Sequence, residues 1–465
     1  MRIIICGANK ITKVLIKNLI NEKDEIILID DNEKKLNEII DTFSINGVLG
    51  NSASNNTLLK AGVDYADMVI VMNNEDEKNL LTSILAKELG CHFVICKINS
   101  DELYGSIKFY KEKFKIDMVI NADKLIAKEI VRRLTFPSAL SVEAFANGHV
   151  DIAEIVVTQN SKLNGIKINE VKNIFGANVL VGIVERKGKI YIPKGDFVVE
   201  DGDVLSLVSS HTELLKCFKN LDFIKKQIKD CIIVGGSKSG VYLAKELNNM
   251  KINTKIIEID MKKCLELKEK LSFSQIINGS GTDLELLLSQ NIKKVDSVVA
   301  LTMNDEVNIS TYLLSQINNV PNIITYISNT DFARILKKVN VSNTISEYNA
   351  IMFEVLRCKK SIENLVSDNY NDVLNLNTSF KSYYKLAENK VEVIEFEVDK
   401  DFSKLNVMLS DPSFKLKHNV LIASVIRNGE VILPSGTTSL KDKDSVIIIT
   451  NLKKDILKLE DIFTK

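Results

Sequence analysis

Two glycine turns stand where phosphate chemistry could be done. In Arg2 to Leu19 (RIIICGANKITKVLIKNL) an apolar run ends at Gly7, with Asn9 and Thr12 at the places of a dinucleotide fingerprint's second and third glycines. In Asp230 to Leu247 (DCIIVGGSKSGVYLAKEL) the same three places hold Gly235, Ser237 and Gly240. In such a turn the first glycine reverses the chain, the second lets backbone approach a pyrophosphate, and the third lets helix pack on strand. Asn9 tolerates a left-handed backbone but brings a Cβ toward the phosphates, and Thr12 brings a branched side chain to the helix contact. An acid ends the next apolar run at one spacing in both copies: Thr12 to Asp30 and Gly240 to Glu258 are each 18 positions. A carboxylate there hydrogen-bonds a ribose. Lys10 and Lys238 share one place in the two turns, where an ammonium is a point-charge partner for phosphate; a solvated first-turn lysine is the alternative.

The elements that must position these groups are written twice. The turns and acids repeat at an offset of 228; Asn73 with Thr302, Asp76 with Asp305, Asn79 with Asn308 and Lys97 with Tyr326 repeat at 229; Pro193 with Pro434 repeats at 241. The additional residues of the second copy are expected in the polar stretch Ser367 to Lys385, as a longer connection. Within each copy apolar strands alternate with helices, first Ile3 to Cys6, a helix from Lys10, Glu25 to Ile29, a helix from Glu33, and on to His92 to Ile98. That alternation gives a parallel sheet wound on both faces, with Asn73 and Thr302 at its carboxyl edge, where open α/β sheets bind ligands. After Pro137 short strands and turns take over, with hairpins at Lys187-Gly188 and Asn428-Gly429. The expected fold class is α/β: two tandem copies of a doubly wound Rossmann-like domain, each followed by a small α+β domain. The boundaries are 1–136, 137–220, 228–360 and 378–465.

Composition narrows the function. Lys plus Arg is 61 and Asp plus Glu is 61, so the net charge is zero and the positive field that serves nucleic-acid binding is missing. No run of about 18 apolar residues exists, and Met1-Arg2 leads into a strand without the pattern of a cleavable signal, so the chain is expected neither to span a bilayer nor to be exported. The seven cysteines form no Cys-x-x-Cys pair and read as reduced, structural thiols. No His or Cys pair stands at metal-ligand spacing, and Glu75, Asp76 and Glu77 read as helix-start acids. A soluble NAD-dependent dehydrogenase is a rival reading, but none of His92, His149, His211 and His418 is expected beside a glycine turn as general acid or base. Leu80, Leu81, Ile84, Leu85 and Leu89, with Ile309, Leu313, Leu314 and Ile317, make two broadly apolar helices, by default packed on their own sheets and otherwise an interface.

IIICGANK, ILID, GVLGNSASNNTLLKAGVDYADMVIVMNNEDEKN and VICKIN resemble the RCK (KTN) ligand-binding domain that regulates potassium channels and transporters. GIVERKGKIYIPKGD and SVIRNGEVILPSGT resemble its companion C-terminal domain. The resemblance implies a non-enzymatic cytoplasmic subunit on the inner face of the cell membrane, assembled as a homo-tetrameric ring. It implies binding of NAD or NADH, or of ATP or ADP, and control of a membrane-embedded potassium translocating subunit of the Trk type. Another potassium channel or a cation/proton antiporter is the alternative partner. Carried over by position, the phosphate turns are Gly7, Ala8, Asn9, Lys10 and Ile11, then Thr12, and Gly235, Gly236, Ser237, Lys238 and Ser239, then Gly240. The ribose acids are Asp30 and Glu258, and further contacts are Asn73, Asn74, Lys97 and Thr302. The acid of the family's Gly-Asp-Ala/Gly-Thr turn is replaced by Asn51 in one copy and Ser280 in the other.

Overall fold

The computed structural model describes residues 1–20, 24–136, 138–145, 148–223, 228–329, 332, 335–336, 341, 343–366, 380–386, 391–451, 456 and 458–464. They form two compact units, one of residues 1–134 with 228–362 and one of residues 135–227 with 363–465. In chain order the first sheet unit contains β1 (Arg2–Cys6), α1 (Lys10–Leu19), β2 (Glu25–Asp30), α2 (Glu33–Phe43), β3 (Asn46–Leu49), α3 (Asn55–Lys60) and β4 (Met68–Val71). It continues with α4 (Asp76–Glu88), β5 (Phe93–Lys97), α5 (Asp101–Gly105), α6 (Ile107–Phe114), β6 (Met118–Ile120) and α7 (Ala122–Thr135). The small module has β7 (Ser141–Phe145), β8 (Val150–Val156), α8 (Ile168–Phe175), β9 (Leu180–Arg186), β10 (Lys189–Tyr191), β11 (Val204–Ser209) and α9 (His211–Asn220).

The plan then repeats. β12 (Asp230–Val234), α10 (Lys238–Asn249), β13 (Asn253–Glu258), α11 (Met261–Lys270), β14 (Gln275–Asn278) and α12 (Leu284–Ser289) come first. β15 (Ser297–Ala300), α13 (Asp305–Ile317), β16 (Asn322–Tyr326), β17 (Thr344–Ile345) and α14 (Glu347–Val366) follow. The second small module contains β18 (Phe380–Leu386), β19 (Val391–Glu397), β20 (Val420–Arg427), β21 (Glu430–Ile432) and β22 (Ser445–Thr450). The two large sheets are parallel, in the order β3-β2-β1-β4-β5-β6 and β14-β13-β12-β15-β16-β17. The small ones are β10-β9-β11-β8-β7 and β18-β19-β22-β20-β21, with antiparallel pairings. All four residues of β4 and of β15 are buried, as strands covered on both faces must be.

The last helix of each large sheet serves the other half. Ile126, Ala127, Ile130 and Leu134 of α7 share a core with Ile233, Leu243, Leu247, Ile256 and Val299 of the second half. In return Lys359 of α14 donates to the Leu19 carbonyl and pairs with Asp24 at 2.5 Å, and Cys358 Sγ lies 3.1 Å from Met118 Sδ. The alternating pattern read from sequence ended at the fifth strand; β6 and β17, with three and two residues, are too short to announce themselves.

The small modules keep one device in duplicate. Arg186 donates through Nε and Nη2 to both oxygens of the buried Asp203, at 2.8 Å each, and also to the Val198 carbonyl. Arg427 does the same with Asp444, at 2.9 and 2.7 Å, and with the Ser439 carbonyl. Phe145, Val150, Ile152, Ile183 and Val208 share a core with Val391, Val393, Ala423, Ile447 and Ile449 of the second module. Both hairpin turns have the positive φ that their sequences suggested, at Lys187-Gly188 and Asn428-Gly429.

Two expectations are corrected. Ser367 to Lys385 is not a connection throughout, because from Phe380 it forms β18, paired along β19; Ser367 to Ser379, like Pro137, lies outside the described residues. Leu80, Ile84 and Leu85 of α4 and Leu89 at its end, with Ile309 and Leu314 of α13, do pack half-buried against cores of their own sheets, but they are not what the sheets bury deepest. Asn79, Thr82, Ser83 and Ala86 are the buried residues of α4, and Asn308, Thr311, Tyr312 and Ser315 are those of α13, while Leu81, Leu313 and Ile317 are exposed. Apart from Tyr312 these are small or medium side chains, which let a helix approach its sheet closely, and the leucines are left to its flanks. None of the seven cysteines is in a disulfide; six are buried, and burial pushes the thiols of Cys6, Cys91, Cys96, Cys217 and Cys231 up to about 12.

Candidate nucleotide sites at the sheet edges

Each turn sits where the strand order reverses, between β1 and β4 or between β12 and β15. Gly7 and Gly235 both have φ +104°, and a Cβ there would lie 2.8 to 2.9 Å from backbone atoms of Met72 and Asn73, or of Leu301 and Thr302. Only glycine fits. Their N–H groups donate to Ile29 and Ile257 carbonyls, at 2.8 Å, tying turn to second strand.

The next N–H meets the acid. Ala8 N donates to Asp30 Oδ2 at 2.6 Å and Gly236 N to Glu258 Oε2 at 2.8 Å. The second oxygen of each acid accepts from Asn32 N or Asp260 N. Burial pushes the Glu258 carboxyl up, but the N–H groups of Asp260 and Gly236 and the Lys263 ammonium outweigh it and hold it below the usual carboxylate value.

Asn9 and Ser237 are helix N-caps, accepting from Thr12 N and Gly240 N. Asn9 Nδ2 also reaches the Met72 carbonyl at 2.6 Å, clamping the turn to β4. At the third fingerprint place the halves differ. Thr12, fully buried, donates its hydroxyl to the Gly7 carbonyl, whereas a Cβ on Gly240 would lie 2.7 Å from the Gly235 oxygen.

At the carboxyl edge Asn73 and Thr302 are held by the fully buried amides of Asn79 and Asn308. Each amide also bridges to the fifth strand, at the Lys97 or Tyr326 carbonyl, at 3.0 and 2.9 Å. These two asparagines were visible in the sequence as a repeated pair, but their role was not. A polar residue at one offset in two otherwise apolar helices was the signal. Asn73 Nδ2 further donates to Ser52 Oγ.

Lys97 is buried, its pKa lowered by burial and supported by Glu347 and Asp76; Tyr326 is buried too, its phenol pushed up by burial and nearby acids. Lys10, Asn74 and Asn51 are exposed, and Ile11 is on the buried face of α1. Asn51 Oδ1 caps its own loop at Ala53 N, and Ser280 Oγ does so at Thr282 N, so neither reaches its turn through these bonds. Lys238 and Ser239 are engaged by the other half: Lys238 Nζ donates to the Asn99 carbonyl at 3.2 Å and Ser239 Oγ to Asp123 Oδ1 at 2.6 Å. Sequence reading missed Asp123 and Asn99, since nothing local marks a contact made across the duplication.

Such an edge offers a nucleotide a helix N-terminus, whose first N–H groups lack intrahelical acceptors, beside a carboxylate on the neighbouring strand. This is the sheet edge of a dinucleotide-type fold, carried in duplicate. A model of the TrkA-N domain matches residues 3–122 and 231–347, and one of the TrkA-C domain matches residues 152–222 and 393–464. The chain belongs to the family built from TrkA-N and TrkA-C domains. A "Trk system potassium uptake protein TrkA homolog" of Archaeoglobus fulgidus is 28% identical over 463 residues, covering 100% of both chains. The "Trk system potassium uptake protein TrkA" of Halomonas elongata is 25% identical over 467 residues, covering 100% of this chain and 98% of the relative. Among solved structures the GsuK RCK domain superposes with a TM-score of 0.58 at 16% identity, covering 97% of this chain and 92% of that one. The GsuK channel bound to NAD gives 0.60 at 15% identity, covering 97% and 76%. The two GsuK chains share the fold.

Proposed function

We propose that this chain is a cytoplasmic regulatory subunit of a potassium uptake system. It binds NAD(H) or an adenine nucleotide at Gly7 to Thr12 with Asp30 and at Gly235 to Gly240 with Glu258, and gates a membrane-embedded potassium translocating subunit of the Trk type. Asn73, Asn74, Lys97 and Thr302 line these sites, with Asn51 and Ser280 in the loops beside them. One observation carries the reading: in both halves a left-handed glycine turn donates its next N–H to a carboxylate on the adjacent strand, at the strand-order reversal. The names of the relatives support the potassium system, and the GsuK channel bound to NAD supports the ligand class. Sensing in place of turnover is supported by the histidines. His92 precedes β5 at its amino end, the end of the sheet opposite the glycine turns, and the other three histidines belong to the second unit, not to the sheets that carry the turns. Among the described residues no helix is long and apolar enough to cross a membrane, which suits a peripheral subunit.

In this reading the chain divides at 1–136, 137–220, 228–360 and 378–465, and four copies form a ring beneath the translocating subunit. Nucleotide shifts the ring between two states in proportion to its different affinity for them. The test is thermal stability with NAD, NADH, ATP and ADP, where ligand at a hundred times its dissociation constant adds about 2.7 kcal/mol. Asp30→Ala with Glu258→Ala abolishes the shift. Rubidium flux through vesicles holding a Trk-type subunit then answers to nucleotide only when this chain is added. A protein whose stability no nucleotide changes overturns the reading.

A further inference from the structure

The two turns do not meet the same surroundings. The first two helical turns of α10 are tied to the first half at three points. Asp123 in the first turn of α7 accepts from Ser239 Oγ at 2.6 Å, the Asn99 carbonyl accepts from Lys238 Nζ at 3.2 Å, and Asp101 accepts from the Tyr242 hydroxyl. Asp76 holds the loop that supplies Asn99 and Asp101, accepting from Asn99 N and Ser100 N at 2.9 and 2.6 Å. The Lys124 ammonium lies 3.8 Å from the Tyr104 ring centre and 5.0 Å from that of Tyr242.

Among the described residues the first turn has no such ties. Its residues at the corresponding places are Lys10, Ile11 and Val14, two of which have no polar side-chain atom. Lys10 is exposed, with no hydrogen bond or ion pair among the described residues. Counted three residues on from the pairs Lys97 with Ile120 and Tyr326 with Ile345, Tyr348 is the counterpart of Asp123, so the place that holds a carboxylate in α7 holds a phenol in α14.

Of the groups that would meet phosphate in the second turn, the Ser239 hydroxyl has therefore given its one proton to the first half, and the Lys238 ammonium one of its three donors. Two acceptors cannot hold one hydroxyl proton. A phosphate seated there takes the Ser239 hydroxyl and the Lys238 ammonium from Asp123 and Asn99, and the Asp123 carboxylate is left facing a like charge. We infer that the second site reads nucleotide by exchange: a bound pyrophosphate replaces Asp123 and Asn99 as partner of Ser239 and Lys238 and so loosens the junction between the halves, while the first site fills without that exchange. The inference rests on the second turn being a nucleotide site. It assigns to that site the coupling of occupancy to the junction, and to the first the higher affinity for pyrophosphate-bearing ligands.

The test uses the full chain with the first site silenced by Asp30→Ala and titrates NAD and ADP by calorimetry. Adding Asp123→Ala removes the competing carboxylate and raises second-site affinity about tenfold, the worth of one hydrogen bond to a charged group. Tyr242→Phe cuts the tie one turn further along without touching the turn itself and raises it about threefold. In the Asp30→Ala protein NAD speeds amide exchange in the segment Asn99 to Tyr104, which a merely structural role for Asp123 would not produce. If Asp123→Ala does not fold, Tyr242→Phe and the exchange measurement decide. Unchanged or lower affinity in these variants, or slower exchange at Asn99 to Tyr104, sinks the exchange while binding to the unmodified chain keeps the proposed function. Binding of no nucleotide to any of them sinks both.

Discussion

The small modules and the large sheets were duplicated together, yet they have not stayed equally alike. Arg186 with Asp203 and Arg427 with Asp444 repeat the same three bonds, down to the extra carbonyl each guanidinium holds, and differ only at the rim, where Arg186 also pairs with Glu200 at 2.7 Å. The glycine turns keep the first glycine and the acid's bond to backbone, but differ at Thr12 and Gly240, at Lys97 and Tyr326, and in what surrounds Lys10 and Lys238. A buried carboxylate admits few partners, so the ion pair is fixed by folding alone. A turn proposed to face a ligand has several workable solutions, and two copies free to specialise need not choose the same one.

The contrast can be broken where it predicts equality. Arg186→Ala and Arg427→Ala each strand a buried carboxylate, and each costs about 3–5 kcal/mol in urea unfolding. Costs that differ between the two by more than about 1 kcal/mol would end the claim that the modules are equivalent. Gly7→Ala and Gly235→Ala come next, at about 2–4 kcal/mol each, from a strained φ and a Cβ against backbone. The third place should separate the halves. Gly240→Val costs about 1–3 kcal/mol, whereas Gly240→Thr recovers about 1 kcal/mol of that by donating to the Gly235 carbonyl as Thr12 does to Gly7. Equal losses for the two would show that Thr12 works for another reason.

The smallest effect is electrostatic. The Glu258 pKa is lowered by the folded state, so its contribution is complete above the unfolded value of about 4.3 and is lost as pH falls through the lowered folded value. Glu258→Gln removes that dependence, about 1 kcal/mol of acid-limb stability in a pH titration of unfolding. A variant whose acid limb matches the parent's would show the carboxylate to be indifferent to the turn.

The turns, acids and duplication were legible because each is local: an apolar run, a glycine at its end and an acid at a fixed distance. The parallel sheets followed from the alternation of strand and helix. The destination of α7 and α14 was not legible, since an amphipathic helix states that it has an apolar face but not whose sheet covers it. The leucines of α4 misled for a related reason: closeness of approach, not hydrophobicity, picked Asn79, Thr82, Ser83 and Ala86 for the inner face. Asp123 meets Ser239 across 116 positions, a separation at which sequence spacing carries no signal.

The traded helices bear on how the protein could be taken apart. A fragment ending near Leu134 carries a helix whose apolar stripe has lost its sheet, and a sheet that has lost the helix bearing Lys359. Neither Rossmann-like piece is a finished object by itself. Supplied as two separate polypeptides they would complement one another, each restoring the covering the other lacks, and the linking modules would then be dispensable for that reunion.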